Sequence, residues 1–166
     1  MQKLLIIISG APATGKTTLA KKLSNHFKIS MISKDDIKES LFDSLGIGDR
    51  EWSTKLGIAS FKLLYKVTEN LLQAETSVIV ETFFHGKIDK DKFTLLKEKY
   101  NVTSIEINCN TQQSIMRKRF IERNESGNRH PGHVDQSNYK NFENNNQKYQ
   151  NTILDIGGTV LKIDTT

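Results

Sequence analysis

The chain has 166 residues, one domain's worth and enough to bury about 70% of the surface its unfolded form exposes. Lysine and arginine exceed aspartate and glutamate by 24 to 19, and the net charge of +5 suits polyanionic ligands such as nucleotides without singling out nucleic acid. Cys109 is the only cysteine, which excludes an internal disulfide and points to a reducing cytoplasm, and no window approaches the ~20 apolar residues of a membrane span.

Strand and helix signals alternate from end to end. That is the pattern of an α/β chain whose parallel sheet of about five strands carries helices on both faces, a three-layer α/β/α fold read as a single domain over residues 1–166. Leu4 to Ser9 reads as a buried first strand. With Lys3 before it and Ala11-Pro12-Ala13 after it the run mimics a secretion signal, but Leu4 to Ile8 is shorter than the ~7–15 residues of a signal core.

The strand runs into Gly10-Ala-Pro-Ala-Thr-Gly15-Lys16-Thr17, which satisfies G-x-x-x-x-G-K-[ST], and Thr17 to Phe27 follows as a helix with Leu19, Leu23 and Phe27 at spacings of four. Strand, glycine loop and helix start occur in the order a phosphate-binding loop requires. Gly10 and Gly15 permit backbone angles that let successive N–H groups converge on phosphate oxygens at the positive end of the helix dipole. The predicted nucleotide-binding set is Gly10, Ala13, Thr14, Gly15, Lys16, Thr17 and Thr18, with Lys16 as the mobile cation and the Thr17 hydroxyl as a ligand for Mg²⁺.

Ile29 to Ser33 reads as a short second strand, and Lys34-Asp35-Asp36 opens a helix through Phe42. Gly46 to Glu51 breaks the chain before a long helix in which Trp52, Leu56, Ala59, Leu63, Val67 and Leu71 form an apolar stripe. Ser77 to Val80 is a third strand ending in Glu81-Thr82-Phe83-Phe84, and Asp89 to Tyr100 a helix with Phe93, Leu96 and Tyr100 on one side. Val102 to Ile107 alternates enough to sit nearer an edge. Thr111 to Arg123 is helical and leads into a basic loop, Asn124 to His133, marked by two glycines and a proline. Tyr139, Phe142, Tyr149 and Ile153 stripe a last helix, read as core packing rather than a base-stacking platform, and Gly157-Gly158 turns the chain into a final strand, Thr159 to Ile163.

The segments GAPATGKTT, SKDDIKE, VIVET and RKRFIER…RHPGH together resemble the small P-loop kinases, the group holding polynucleotide 5′-hydroxyl kinases, chloramphenicol phosphotransferases and zeta-type toxins. The resemblance covers nearly the whole chain and is specific at the motifs. It implies Mg²⁺-dependent transfer of the γ-phosphoryl group of ATP to a hydroxyl of a small or medium acceptor. The acceptor half is expected at the carboxyl end of the neighbouring strand, where Asp35 and Asp36 lie. In polynucleotide kinases a similar Arg-Asp-Asp sequence supplies its first aspartate to orient and deprotonate the attacking hydroxyl, which by motif position is Asp35. The competing reading is that these acids cap a helix, Asp36 pairing with Glu39 as in a capping box. Lys38 stands where those kinases have an arginine for a substrate phosphate, and lysine lacks the bidentate fork.

Arg119 and Arg123 are four apart, hence on one helical face, and Arg129 lies in the loop that follows. They resemble the arginine-bearing lid of the family, here about residues 117–135, which would fold over the nucleotide and set guanidinium charge against the transferring group. A solvated basic helix face is the bland alternative. Arg117, about 200° from Arg119 around the helix, is expected in solvent. His130 and His133 lack two further ligands for zinc. Glu81 either holds a water of Mg²⁺, touches the acceptor or is structural, and the Gly157-Gly158 turn resembles the loop bordering the adenine. Acceptor specificity is expected between Gly46 and about Leu64, with Trp52 and Phe61 lining it or belonging to the core stripe.

Two other readings stand beside the small-acceptor kinase. One is 5′-hydroxyl phosphorylation of nucleic acid, carried by the Asp-Asp resemblance and opposed by Lys38. The other is a nucleotide-dependent switch, but Asn-Lys-x-Asp and Ser-Gly-Gly-Gln are both missing, and the chain is too short for an AAA-type motor with its helical lid domain.

Overall fold

The computed structural model describes residues 2–84, 86–127, 129–133 and 153–166. Within them the elements run β1 (Leu4–Gly10), α1 (Lys16–Phe27), β2 (Ser30–Ser33), α2 (Lys34–Leu45), α3 (Arg50–Gln73), β3 (Val78–Glu81), α4 (Gly86–Tyr100), β4 (Thr103–Asn110), α5 (Gln113–Glu125) and β5 (Thr159–Asp164). The strands form one five-stranded sheet in the order β2-β3-β1-β4-β5, and every pair is parallel.

The apolar run at the start of the chain explains why β1 takes the centre. Side chains alternate across a strand, so a strand apolar at every position can be buried on both faces. Leu5 and Ile7 join Val78, Val80, Leu64, Leu72, Phe84 and Phe93 in one layer, while Ile6 and Ile8 join Ala20, Ile79, Ile107 and Cys109 in the other. At about 1.5–3 kcal/mol for each fully buried aliphatic side chain, these two layers hold the sheet between its helices. β3 and β4 flank β1 on opposite sides, so the chain reverses its direction of travel across the sheet there. The carboxyl end of β1 is therefore the switch point where open parallel sheets bind ligands.

Several boundaries and faces differ from the sequence expectations. On α3 the stripe shares Leu56 with the buried face, and Leu71 packs against the core, but Leu63 and Val67 are 43% and 40% exposed. The face turned inward is Ser53, Leu56, Ser60, Leu64, Thr68 and Leu72. Ser60 and Thr68 can be buried because their hydroxyls donate to the carbonyls of Leu56 (2.6 Å) and Leu64 (2.7 Å), one turn back. Counting apolar residues alone selects the neighbouring face.

β4 lies between β1 and β5, one strand from the edge and so nearer to it than β1 is. It is nonetheless interior, and its polar residues are buried with partners: Glu106 accepts from the backbone N–H groups of Leu154 and Asp155, and Asn108 donates to Ser9. β5 is the edge strand on that side, and β2 on the other. The predicted last helix lies outside the described residues except at Ile153. No helix among the described residues is long and apolar enough to cross a membrane.

Candidate active site

The phosphate loop begins where β1 ends. Gly10 has φ +146°, and a Cβ there would sit 2.5 Å from the Cys109 carbonyl oxygen and 2.8 Å from Thr14 Oγ1, so only glycine lets the chain leave β1 beside β4. Ala13 and Gly15 take the left-handed angles φ 64° and 81°, which curl the loop. Thr14 closes it from within, its hydroxyl donating to the Ala11 carbonyl at 2.8 Å. α1 starts at Lys16 with Gly15 as its N-cap, no side chain caps its first amides, and its first turn carries no acid. Its positive end is thus left for an anionic ligand. The Lys16 ammonium reaches back to the Ala11 carbonyl at 3.4 Å.

Beside the loop, Glu81 ends β3 and pairs in register with Ile8 of β1. Its carboxylate is buried, accepts from Thr17 Oγ1 (3.2 Å) and Ser33 Oγ (2.9 Å), and lies 3.9 Å from the Lys16 ammonium. Burial pushes its pKa above the usual range against the pull of Lys16 and the two hydroxyls. It ties β3, β2 and α1 together at the mouth of the loop.

Asp35 is the second residue of α2. Its strand is not the neighbour of β1, as the sequence suggested, because β3 intervenes. The carboxylate nevertheless opens into the same cavity. Its Oδ1 faces the Lys34 ammonium at 3.2 Å, and its Oδ2 accepts from both terminal nitrogens of Arg129 at 3.2 Å. Burial pushes its pKa upward, but Lys34, Arg129, His133 and Lys16 outweigh it and hold the carboxyl well below the usual range. Asp35 is therefore ionised at any ordinary pH.

The N-cap of α2 is Ser33, whose hydroxyl is spent on Glu81. Asp36 lies exposed in the first turn, so the capping box expected of Asp36 and Glu39 does not form.

The cavity of about 810 Å³ is lined by Ala13, Gly15, Lys16, Thr17 and Thr18 of the loop, by Asp35, Asp36 and Glu39 of α2, and by Arg119, Arg123 and Arg129. Three separated stretches of sequence thus meet in one place. Gly10 and Thr14 lie behind the lining, where they shape the loop. Arg117 is exposed, as expected. The loop 129–133 folds onto α2, with His130 facing Asp43 at 3.1 Å and His133 facing Glu39 at 2.9 Å, and among the described residues no three His, Cys, Asp or Glu side chains cluster as a metal site would need.

Other sequence expectations move. Lys38 is buried and is not part of the cavity lining, its ammonium donating to Ser53 Oγ at 2.8 Å. Trp52 packs near its own helix start, its ring N–H donating to the Gly46 carbonyl. Phe61 stacks on Tyr65 beside the Lys34 ammonium. Gly157-Gly158 precedes β5, whose other end reaches the cavity, so the turn is at the wrong end of the sheet to border a nucleotide. Thr165 and Thr166 occupy the cavity instead. The Thr165 hydroxyl is shared between the carbonyls of Thr14 (2.5 Å) and Asn110 (2.8 Å). No motif marks these threonines, and only their place just after the last strand could have signalled them.

The profile of the family AAA_33, described as an AAA domain, matches residues 5–148. The chain belongs to this family. A crystal structure of a protein from Chloroflexus aurantiacus J-10-fl, provisionally described as a kinase, superposes with a TM-score of 0.92 at 36% identity, covering 100% of this chain and 90% of that one. A sugar kinase from Janibacter sp. HTCC2649 superposes with a TM-score of 0.57 at 12% identity over 99% of this chain and 86% of its own, a likeness of fold alone. A cytidylate kinase from Sulfurisphaera tokodaii is 30% identical over 91 residues, which is 53% of this chain and 50% of that protein. The match to this curated relative thus spans half its length. AAA_33 is a family of P-loop kinases, and the three-layer parallel fold is theirs.

Proposed function

We propose that the chain transfers the γ-phosphoryl group of ATP to a hydroxyl of a small or medium acceptor. The observation that carries this reading is the convergence of Lys16, Thr17, Asp35, Arg119, Arg123 and Arg129 on one cavity.

The loop fits a polyphosphate, since a cradle that a Cβ at Gly10 would distort opens at an uncapped helix start. The Thr17 hydroxyl and the Glu81 carboxylate, 3.2 Å apart, are hard oxygen donors of the kind Mg²⁺ takes, directly or through water. Bound there, the ion would offset charge on the phosphates. Lys16 would bridge the outer phosphates. Asp35 would align the acceptor hydroxyl and take its proton, and a weakly basic carboxylate suffices because the transition state is loose. Arg119, Arg123 and Arg129 would draw charge off the transferring group, so that catalysis comes from positioning and electrostatics rather than a covalent intermediate.

A second reading follows from the cytidylate kinase relative, in which the acceptor is a nucleotide phosphate. Such an acceptor arrives ionised and needs no base, which leaves Asp35 without a task. Labelled ATP offered to hydroxylated metabolites, CMP and a 5′-hydroxyl oligonucleotide separates the readings. We expect label on a hydroxyl, and Asp35→Asn to lower kcat by about 10²–10⁴ while ATP affinity is kept. Transfer only to CMP, or full turnover by Asp35→Asn, would refute the proposal.

A further inference from the structure

Asp35, Glu39 and Asp43 recur every four residues and so share one face of α2. Each meets a basic side chain of the loop 129–133: Asp35 meets Arg129, Glu39 meets His133, and Asp43 meets His130. Glu39 also lies 3.6 Å from Arg129, through the same Oε1 that faces His133. Arg129 is therefore held from two sides, by Asp35 within the cavity and by Glu39 one helical turn further along.

The seat under these pairs leaves the loop little freedom. The ring of Phe42 stacks on His130, with centroids 5.4 Å apart, and meets His133 edge-on. A Cβ on Gly132 would fall 2.5 Å from that ring. Ser53, which accepts from Lys38, donates to the Gly132 carbonyl at 3.3 Å. The His133 side chain is 4% exposed, whereas Glu39 is about a third exposed. The loop is thus registered on α2 by shape as well as by charge.

We infer that Glu39 and His133 are positioning residues for phosphoryl transfer, acting through Arg129. They aim its guanidinium at the edge of the cavity between Asp35 and the phosphate loop. This rests on the proposed role of Arg129 and deepens it. A guanidinium is useful to a transferring phosphoryl group only if its fork points there, and a displacement of about 1 Å can cost about 10²-fold. Nothing in the inference requires Glu39 to touch a substrate.

The test uses the full chain with Mg²⁺, ADP and aluminium fluoride, a mimic of the transferring group that needs no known acceptor. Affinity for ADP alone and for ADP with aluminium fluoride is measured for the parent, Glu39→Gln, Arg129→Ala and the double variant. We expect Arg129→Ala to weaken binding of the mimic by about 10²-fold or more and Glu39→Gln by about tenfold, with ADP affinity unchanged in both. The double variant should equal Arg129→Ala. His133→Gln should match Glu39→Gln, and because His133 is buried, Glu39→Gln alone decides if that variant fails to fold.

An undiminished affinity for the mimic in Glu39→Gln, alongside a loss in Arg129→Ala, would overturn the inference and spare the reading of Arg129. An equal further loss in the double variant would do the same, since Glu39 would then act independently. If Arg129→Ala itself loses nothing, the proposed role of Arg129 fails first, and the inference with it.

Discussion

Replacing Gly132 by alanine adds a single methyl group where the backbone of the loop 129–133 passes directly against the Phe42 ring. That carbon would lie 2.5 Å from two ring carbons and 2.7 Å from a third, whereas carbon atoms rest about 3.5–4.0 Å apart. Either the buried ring or the loop must yield by about 1 Å. Phe42, on α2, is 1% exposed and covered by His130, Gly132 and His133 of the loop, so compressing it costs about 1–3 kcal/mol, and lifting the loop is the easier path. A retreat of that size stretches the 3.2 Å contacts between Arg129 and Asp35 beyond hydrogen-bonding reach. The Asp35 carboxyl, relieved of one of its cations, should then titrate closer to the ordinary value of about 3.9. Carboxyl-carbon NMR of Asp35 through an acid titration reads this without any acceptor. Gly57→Ala is the control, since its added carbon meets only the end of the Lys38 side chain, at an ordinary 3.9 Å. If Gly132→Ala folds and Asp35 titrates as in the parent, the claim that this contact seats Arg129 is wrong.

The face of α3 is tested by truncation: Leu64→Ala, at a fully buried site, should cost about 2–5 kcal/mol in denaturant unfolding, and Leu63→Ala no more than about 0.5 kcal/mol. Equal losses would restore the apolar stripe. Thr165→Val removes a hydroxyl bound to the Thr14 and Asn110 carbonyls, worth about 0.5–1.5 kcal/mol, and calorimetry should show ATP affinity falling by about two- to tenfold. The folded-state pKa of Asp35 is depressed, so its contribution to stability is present above the unfolded value of about 3.9 and lost as pH falls through the lower folded value. Asp35→Asn should accordingly flatten the most acidic limb of a stability–pH curve, and an unaltered limb would show that its cations do not stabilise it.

What the sequence made legible was local. The order of apolar run, glycine loop and helix start defines the phosphate loop within some twenty residues, and each part dictates its own backbone. Arg119 and Arg123 were readable because helical spacing puts them on one face. What escaped depends on partners remote in sequence. Glu106 and Asn108 look like edge residues until Leu154, Asp155 and Ser9 supply their hydrogen bonds. Ser60 and Thr68 are the local exception, for they look like surface until their hydroxyls turn on their own helix. Glu39 reads in sequence only as a helix-capping partner, and gains its place when the loop 129–133 folds back upon it. The order β2-β3-β1 could not be read because strand order reflects which helix crosses where, and that is fixed by packing rather than by any one segment.

The place of β1 between two neighbours, and of the four-residue β2 at the rim with β3 alone beside it, divides the molecule by tenacity. The phosphate loop hangs from β1, the most deeply enclosed strand, whose own paired amides should exchange with solvent water only when the whole molecule opens. Asp35, just past the end of β2, hangs from a border that can fray by itself. On the proposed reading, substitutions on that border reshape what is accepted while leaving the phosphate loop intact, so one architecture can be turned to new acceptors at little cost to its own persistence.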